Sequence, residues 1–483
     1  IVPLKVVSHY RVMPVRLEGS RLQVAIAYPQ DIRLLDDVSL ALKHKYKVEP
    51  VLAMSDEIEK AIAHYYGMGA ETIDQILDKA DKSTGERPQL PGAEVVEDIE
   101  KSVGDASVIK LVNQILLEAY QSRATDIHFE PYRGKFRLRY RVDGVLQTVD
   151  TPEDMRRLFP AIISRVKVLS GLDLVERRIP QDGRASVTVG ERRIDLRTSI
   201  LPSSAGEGIV IRILPDQMIL DLKELGLVGR NFEIVEMMIQ KPYGLILVTG
   251  PTGSGKSTTL YSCLKRLNTE DTKIITVEDP VEYELEGVLQ VPINPNVGLT
   301  FAKGLRSMLR HDPDVMMVGE IRDLETAELA IRTALTGHLV FSTLHTNDAP
   351  SGFTRLTDMG IIPYLLVSSV RCIVAQRLIR MLCPHCKREE SSDYPEVPKV
   401  FRAAGCSMCR QTGYWGRKAI YEVLLVSPGI RKLVMAKASA DEIRAKAVEE
   451  GMRTLSAEGW DQVKLGITDP EEVLRLTTEE FDF

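Results

Sequence analysis

The stretch LILVTGPTGSGKSTTLYSCLKRL, residues 245–267, constrains the fold more than any other part of the chain. An apolar β-like run leads into Gly250, Pro251, Thr252, Gly253, Ser254, Gly255, Lys256 and Ser257, and a helix-like run starting with Thr258 follows. This is a complete G-x-x-x-x-G-K-[ST] loop in the strand–loop–helix setting that such a loop requires. Its glycines let successive backbone N–H groups curl around phosphate oxygens, and the helix N-terminus adds partial positive charge. Lys256 can reach β- and γ-phosphates, and the Ser257 hydroxyl can ligate magnesium. The flanking elements argue against an incidental glycine-rich turn. Residues 250–258 are therefore read as an ATP-binding segment within an α/β core.

Three more apolar segments end in polar residues: KIITVE at Glu278, DVMMVGE at Glu320 and GHLVFSTLH at His345. In open α/β sheets ligands sit at the carboxyl ends of strands, so these ends are expected to converge on the phosphate loop. DVMMVGE is read as the neighbour of the phosphate strand, which assigns Glu320 to magnesium. Glu is longer than Asp and Mg2+ dehydrates reluctantly, so contact through a bound water is expected. Glu278 is then the candidate for polarising the attacking water, in a reaction where positioning carries most of the catalysis. The plainer reading of either acid is a structural salt bridge or cap. His345, with Thr343, Thr346 and Asn347, is placed to sense the γ-phosphate. His338 is read as a packing or capping residue.

The 483 residues, 44% of them hydrophobic and 27% charged, suit two or three globular domains. A formal charge of −6 argues against a dedicated nucleic-acid binder. No run approaches the roughly 20 apolar residues of a membrane span. No secretory signal is evident, and a chain that begins at Ile1 leaves room for an upstream segment. Residues 1–66 read as a small α/β domain, 67–105 as a polar linker, 106–217 as a second α/β domain and 218–228 as an interdomain linker. Residues 229–483 form the ATPase domain, closing in a helical, charged part over 419–483. Within the second domain Val108, Val112, Ile115, Leu116 and Ala119 share one helical face. Arg133, Lys135, Arg137, Arg139 and Arg141 share one face of a strand. With no clear aromatic platform beside them, a solvated or subunit-facing surface is favoured over a nucleic-acid groove.

Cysteine usage points to a reducing compartment. Cys383 and Cys386 form one C-x-x-C pair and Cys406 and Cys409 another, with 387–405 between them. That spacing suits four thiolates closing a tetrahedral, structural zinc site over 381–418, with His385 a bystander. Cys263 and Cys372 stand alone in helix-like patterns.

With these motifs in this order, the chain resembles the secretion-superfamily ATPases that assemble type IV pili, and is similar to those of type II secretion systems. The likeness runs through GPTGSGKST, TVEDPVEY, DPDVMMVGEIRDLETAELAIRTALTGHLVFSTLHTNDA and the tetracysteine segment. SRATDIHFEP, RYRVDG, RIPQDGR and LPSSAGEGIVIRIL agree as well. The resemblance implies a multidomain α/β chain, in which a PAS-like domain precedes a RecA-like P-loop core with a tetracysteine zinc subdomain. It implies a cytoplasmic homohexamer at the inner membrane, peripheral to it, that turns a platform protein of the pilus or secretion machinery. It further implies that Arg197, Arg212, Arg306 and Arg310 surround the nucleotide, and no nucleic-acid partner is expected. Retraction motors typically lack the tetracysteine site, so pilus extension is expected, with type II secretion and then a DNA-translocating or helicase-like ring as alternatives. An upstream segment that binds cyclic di-GMP in some members is expected to be absent or cut, so that property is not carried over.

Overall fold

The computed structural model describes residues 2, 6–7, 10–28, 32–66, 97–98, 108–133, 135–152, 155–190, 192–214, 220–392, 394 and 397–477. Apart from 97–98, the 67–105 linker lies outside them, as does the start of the 218–228 linker. The chain divides into two compact units, 1–216 and 217–483.

In the first unit, β1 (Met13–Glu18), β2 (Arg21–Ile26) and β3 (Lys47–Leu52) form a small sheet in that order. β1 and β2 are antiparallel, and α1 (Ile32–Ala41) links β2 to the parallel β3, with α2 (Ser55–Tyr66) following. Leu22, Val24, Ile26 and Val38 are buried in its core.

A seven-stranded sheet follows in the same unit. Its elements are β4 (Glu97–Asp98), α3 (Val108–Gln121), β5 (Ala124–Tyr132), β6 (Lys135–Val142), β7 (Val145–Val149), α4 (Met155–Leu169), β8 (Gln181–Val189), β9 (Arg192–Ser203) and β10 (Gly206–Leu214). The strand order is β4-β8-β9-β10-β5-β6-β7. Val112, Ile115, Leu116 and Ala119 of α3 are buried with Leu138 and Tyr140 of β6, as a period of 3.6 against a period of 2 requires. The alternating basic residues of β6 consequently face away from that core. Arg139 pairs with Glu130, Arg141 Nε lies 3.6 Å from Asp126, and Arg137 lies over the Tyr132 ring. Arg133 sits in the turn before the strand and does not share its register.

The second unit contains α5 (Gly229–Ile239), β11 (Gly244–Thr249), α6 (Lys256–Leu267), β12 (Ile274–Glu278), β13 (Val288–Pro292), α7 (Phe301–Met308), β14 (Val315–Val318), α8 (Leu324–Leu335) and β15 (Leu339–Leu344). It continues with α9 (Ser351–Asp358), α10 (Pro363–Ser369), β16 (Val370–Leu382), β17 (Arg388–Ser391), β18 (Lys399–Arg402), β19 (Tyr414–Leu425), α11 (Pro428–Met435), α12 (Ala440–Glu449), α13 (Leu455–Lys464) and α14 (Pro470–Thr477). The main sheet runs β13-β12-β14-β15-β11-β16-β19, all parallel except the β16–β19 pair. Leu245 and Leu247 join one core with α7 to α12, while Ile246 and Val248 join the other with α5 and α6. A sheet covered on both faces needs strands that are apolar on both, which is why β11, β14 and β15 read as continuous hydrophobic runs.

Four expectations are corrected here. β15, not β14, lies beside β11, because the chain leaves β14 through α8 and returns between the two. The described part of the 218–228 linker is docked, with Leu222 and Leu227 buried against α5 and α6. Residues 419–425 are not helical but continue β19, an apolar run paired to β16, and helices begin only at Pro428. Cys372 lies in β16 rather than in a helix.

Candidate active site

The phosphate loop leaves β11 at Thr249 and enters α6 at Lys256. Gly250 has φ 147° and Gly255 φ 88°, and a Cβ at Gly250 would lie 2.5 Å from the Gln376 carbonyl oxygen. Glycine is thus required at Gly250 both by backbone conformation and by contact with β16. No side chain caps α6, so its first-turn N–H groups remain available to an anion. Ser254 Oγ is buried and has no hydrogen-bond partner among the described residues. A buried orphan hydroxyl on such a loop fits a phosphate oxygen.

Lys256 Nζ arches back to donate to the carbonyl oxygens of Gly250 (2.7 Å) and Pro251 (3.0 Å). Burial pushes its ammonium down to about 8, the Glu320 carboxylate opposes that fall and Arg377 adds to it. Ser257, next on the helix, is exposed.

Threonine and serine side chains tie the strand ends together. Thr249 Oγ1 accepts from Thr346 N (2.8 Å), Thr343 Oγ1 donates to Gly319 O (2.8 Å) and Ser342 Oγ donates to Val318 O (2.7 Å). On this scaffold Glu320 sits two residues past β14, with Arg322 Nη2 at 2.5 Å from one oxygen and His345 Nε2 at 3.4 Å from the other. Lys256, Glu320 and His345 are therefore one electrostatic neighbourhood.

Glu278 ends β12 in a different setting. It is buried, and its oxygens accept from Tyr261 OH, from Thr276 Oγ1 (2.5 Å) and from Gln290 Nε2 (3.1 Å). Burial and this carboxylate raise the Tyr261 phenol well above its ordinary range and push Tyr283 up to about 12.

The arginines fall into two places. Arg306 pairs with Glu325, and Arg310 Nη1 donates to Arg306 O (3.0 Å). Both line a pocket of about 400 Å³ whose walls include no residue of 250–258. In the first unit Arg197 and Arg212 are cross-strand partners, and Arg184 stands opposite Arg197 on the other side. Arg212 Nε lies 3.1 Å from Asp126.

Sequence reasoning missed Arg184, Arg322, Arg377 and Tyr261. An arginine inside the apolar run IVAQRLI was a readable signal for Arg377, which is buried and donates to Asn347 O (2.9 Å). Nothing local singled out Tyr261, because its partner lies on another element.

The four predicted cysteine ligands are brought together. Their sulfurs all lie within 4.8 Å of one another, with Cys383–Cys406 at 3.9 Å, Cys386–Cys409 at 3.7 Å and Cys406–Cys409 at 3.6 Å. A tetrahedron with Zn–S near 2.3 Å has S···S edges of about 3.8 Å, so the set is suited to a metal of that kind. Burial pushes the Cys409 thiol up, but N–H donors from Cys406 and Gly413 outweigh it and bring it down to about 7.

A phosphate loop on a parallel sheet, with acids and polar residues at the neighbouring strand ends, defines a RecA-like P-loop ATPase. The family model for "Type II/IV secretion system protein" matches residues 101–475, and one for the "MshEN domain" matches 1–72. The chain belongs to the type II/IV secretion system family and is an ATP-hydrolysing motor of that family. It is 42% identical over 492 residues to the type IV pilus assembly ATPase PilB of Myxococcus xanthus, covering 99% of this chain and 86% of the relative. It is also 42% identical over 475 residues to the type II secretion system ATPase E of Vibrio cholerae, covering 95% and 93%. Among solved structures, the pilus retraction motor PilT with bound ADP superposes with a TM-score of 0.52 at 29% identity, over 76% of this chain and 98% of that one. Among the described residues no helix is long and apolar enough to cross a membrane.

Proposed function

We propose that this chain is the subunit of a hexameric ATPase that powers type IV pilus assembly, acting at the cytoplasmic face of the inner membrane on a platform protein. The observation that carries this reading is the joining of Lys256, Glu320 and His345 around a complete phosphate loop. The pilus role draws support from the match to a pilus assembly ATPase over 99% of the chain.

In this reading residues 250–258 bind ATP, with loop N–H groups, Ser254 and Lys256 facing its phosphates. Ser257 and, through water, Glu320 would hold magnesium, which supplies neutralisation of phosphate charge. Glu278 orients the attacking water. A carboxylate offers about four lone-pair sites, and three donors on Glu278 leave one for that water. His345 reports the γ-phosphate to Glu320. Arg184, Arg197 and Arg212 stand side by side on one sheet, and like charges in register favour an anion between them. That domain, PAS-like in this reading, would bring the row to the nucleotide as domains close, with Arg306 and Arg310 serving a neighbouring subunit's site. Zinc would be the structural metal of the four cysteines. Type II secretion is the second reading, favoured by the equal identity to the Vibrio cholerae ATPase.

Three measurements on the whole protein test this. Glu278→Gln should keep Mg·ATP affinity while turnover falls about 100-fold or more. Glu320→Gln should lower turnover and raise the magnesium requirement. The opposite pattern would exchange their roles. Turnover stimulated by DNA would favour a translocase, and co-purification with a secretion rather than a pilus platform would favour the second reading.

A further inference from the structure

The five residues after β15 each bind a different part of the ATPase unit. His345 Nε2 lies 3.4 Å from Glu320. Thr346 meets Thr249 Oγ1, at the foot of the phosphate loop, through its N (2.8 Å), O (3.1 Å) and Oγ1 (2.7 Å). Asn347 accepts from Arg377 Nη2 through O (2.9 Å) and Oδ1 (3.2 Å). Asp348 Oδ2 accepts from Arg444 Nη2 at 2.6 Å, and Ala349 N donates to Glu422 Oε1 at 2.8 Å.

The last two partners belong to the C-terminal part. Arg444 lies in α12, and Glu422 lies in β19 with its other oxygen accepting from Leu455 N, the first residue of α13, at 3.2 Å. Asp348 is 5% exposed and Glu422 fully buried. Charged hydrogen bonds in so dry a setting are short, directional and costly to break from one side. Displacement of His345 or Thr346 therefore cannot be absorbed by slack chain. It must move residues 348–349, and with them α12 and α13, or break one of these bonds.

We propose that residues 345–349 form a strap coupling the phosphate site to helices α12 and α13, with Arg444 and Glu422 as positioning residues at its far end. This rests on the placing of His345 and Thr346 at the nucleotide's γ-phosphate. A nucleotide that favours one strap position favours one placement of these helices, and the coupling is reciprocal.

The test is hydrogen exchange of the full chain with magnesium and either ADP or a non-hydrolysable ATP analogue, alongside kcat and KM. In the unaltered protein, exchange over 440–464 should differ between the two nucleotides by about fivefold or more. Arg444→Gln should abolish that difference and lower kcat by about tenfold with KM within about twofold, while Arg444→Lys recovers most of both. Asp348→Asn, altered from the strap side, should reproduce the Gln result should Arg444→Gln itself disturb α12. An unaltered protein that hydrolyses ATP with identical exchange over 440–464 in both nucleotides overturns the coupling and leaves the ATPase reading intact. So does a nucleotide difference that persists in both Arg444→Gln and Asp348→Asn. If even 256–267 ignores the nucleotide, the phosphate-site assignment fails and the strap fails with it.

Discussion

At Lys256 burial and Arg377 favour the neutral amine while Glu320 favours the ammonium, and the balance settles at about 8 rather than at the ordinary 10.5. A bound triphosphate adds negative charge beside the same nitrogen and must raise that value. Binding ATP above pH 8 therefore takes up a proton, and affinity falls as pH rises through 8. At pH 6.5 the amine is already charged in both states and no uptake is expected. Calorimetry in buffers of different ionisation heat reads this directly, and Lys256→Arg, charged throughout, should show no uptake at any pH. Equal uptake at pH 6.5 and 8.5 would contradict the assignment. The residue types of the site were legible because each chemistry needs them at a set spacing. Their partners were not: Arg377, Arg322 and Tyr261 matter through contacts to other elements, which local spacing does not encode.

Continuous apolar runs at 244–249, 315–318 and 339–344 identify three strands buried on both faces. That same uniformity hides their order, since nothing distinguishes β14 from β15 as the neighbour of β11. The crossover through α8 decides it. The stretch 419–425 was misread because it borders a helical tail, whereas its pairing to β16 lies some forty residues upstream. At the loop itself the element imposes a sharper demand. Gly250→Ala would place a Cβ 2.5 Å from a backbone oxygen at φ 147°, so a loss of about 2 kcal/mol or more is expected, together with lost nucleotide binding. Gly253→Ala, at φ 80° with nothing within 4 Å of its Cβ, should cost only about 1 kcal/mol. Thermal unfolding of the two variants separates contact from backbone preference, and equal losses would sink the distinction.

Across the whole molecule, the tetracysteine site stitches the end of β16 to the β17–β18 ribbon, which packs Val397 and Val400 on Val463 and Val473. Both tryptophans lie close by: Trp415 begins β19, and Trp460 of α13 meets Tyr394 edge-on at 4.9 Å. Removing the metal with a chelator should shift their fluorescence and lower the unfolding temperature, while far-UV circular dichroism, dominated by the main sheet and its helices, changes little. A metal-free preparation with unchanged fluorescence would count against a structural site. By itself the amino-acid sequence determined the phosphate loop, the cysteine quartet and the acids at strand ends, because each rests on residue type and short-range spacing. Only the tertiary structure decided which strands adjoin, which arginines stand in one row and which side chains grip residues 345–349. Those are long-range pairings, and they follow from burying one continuous core rather than from any local pattern.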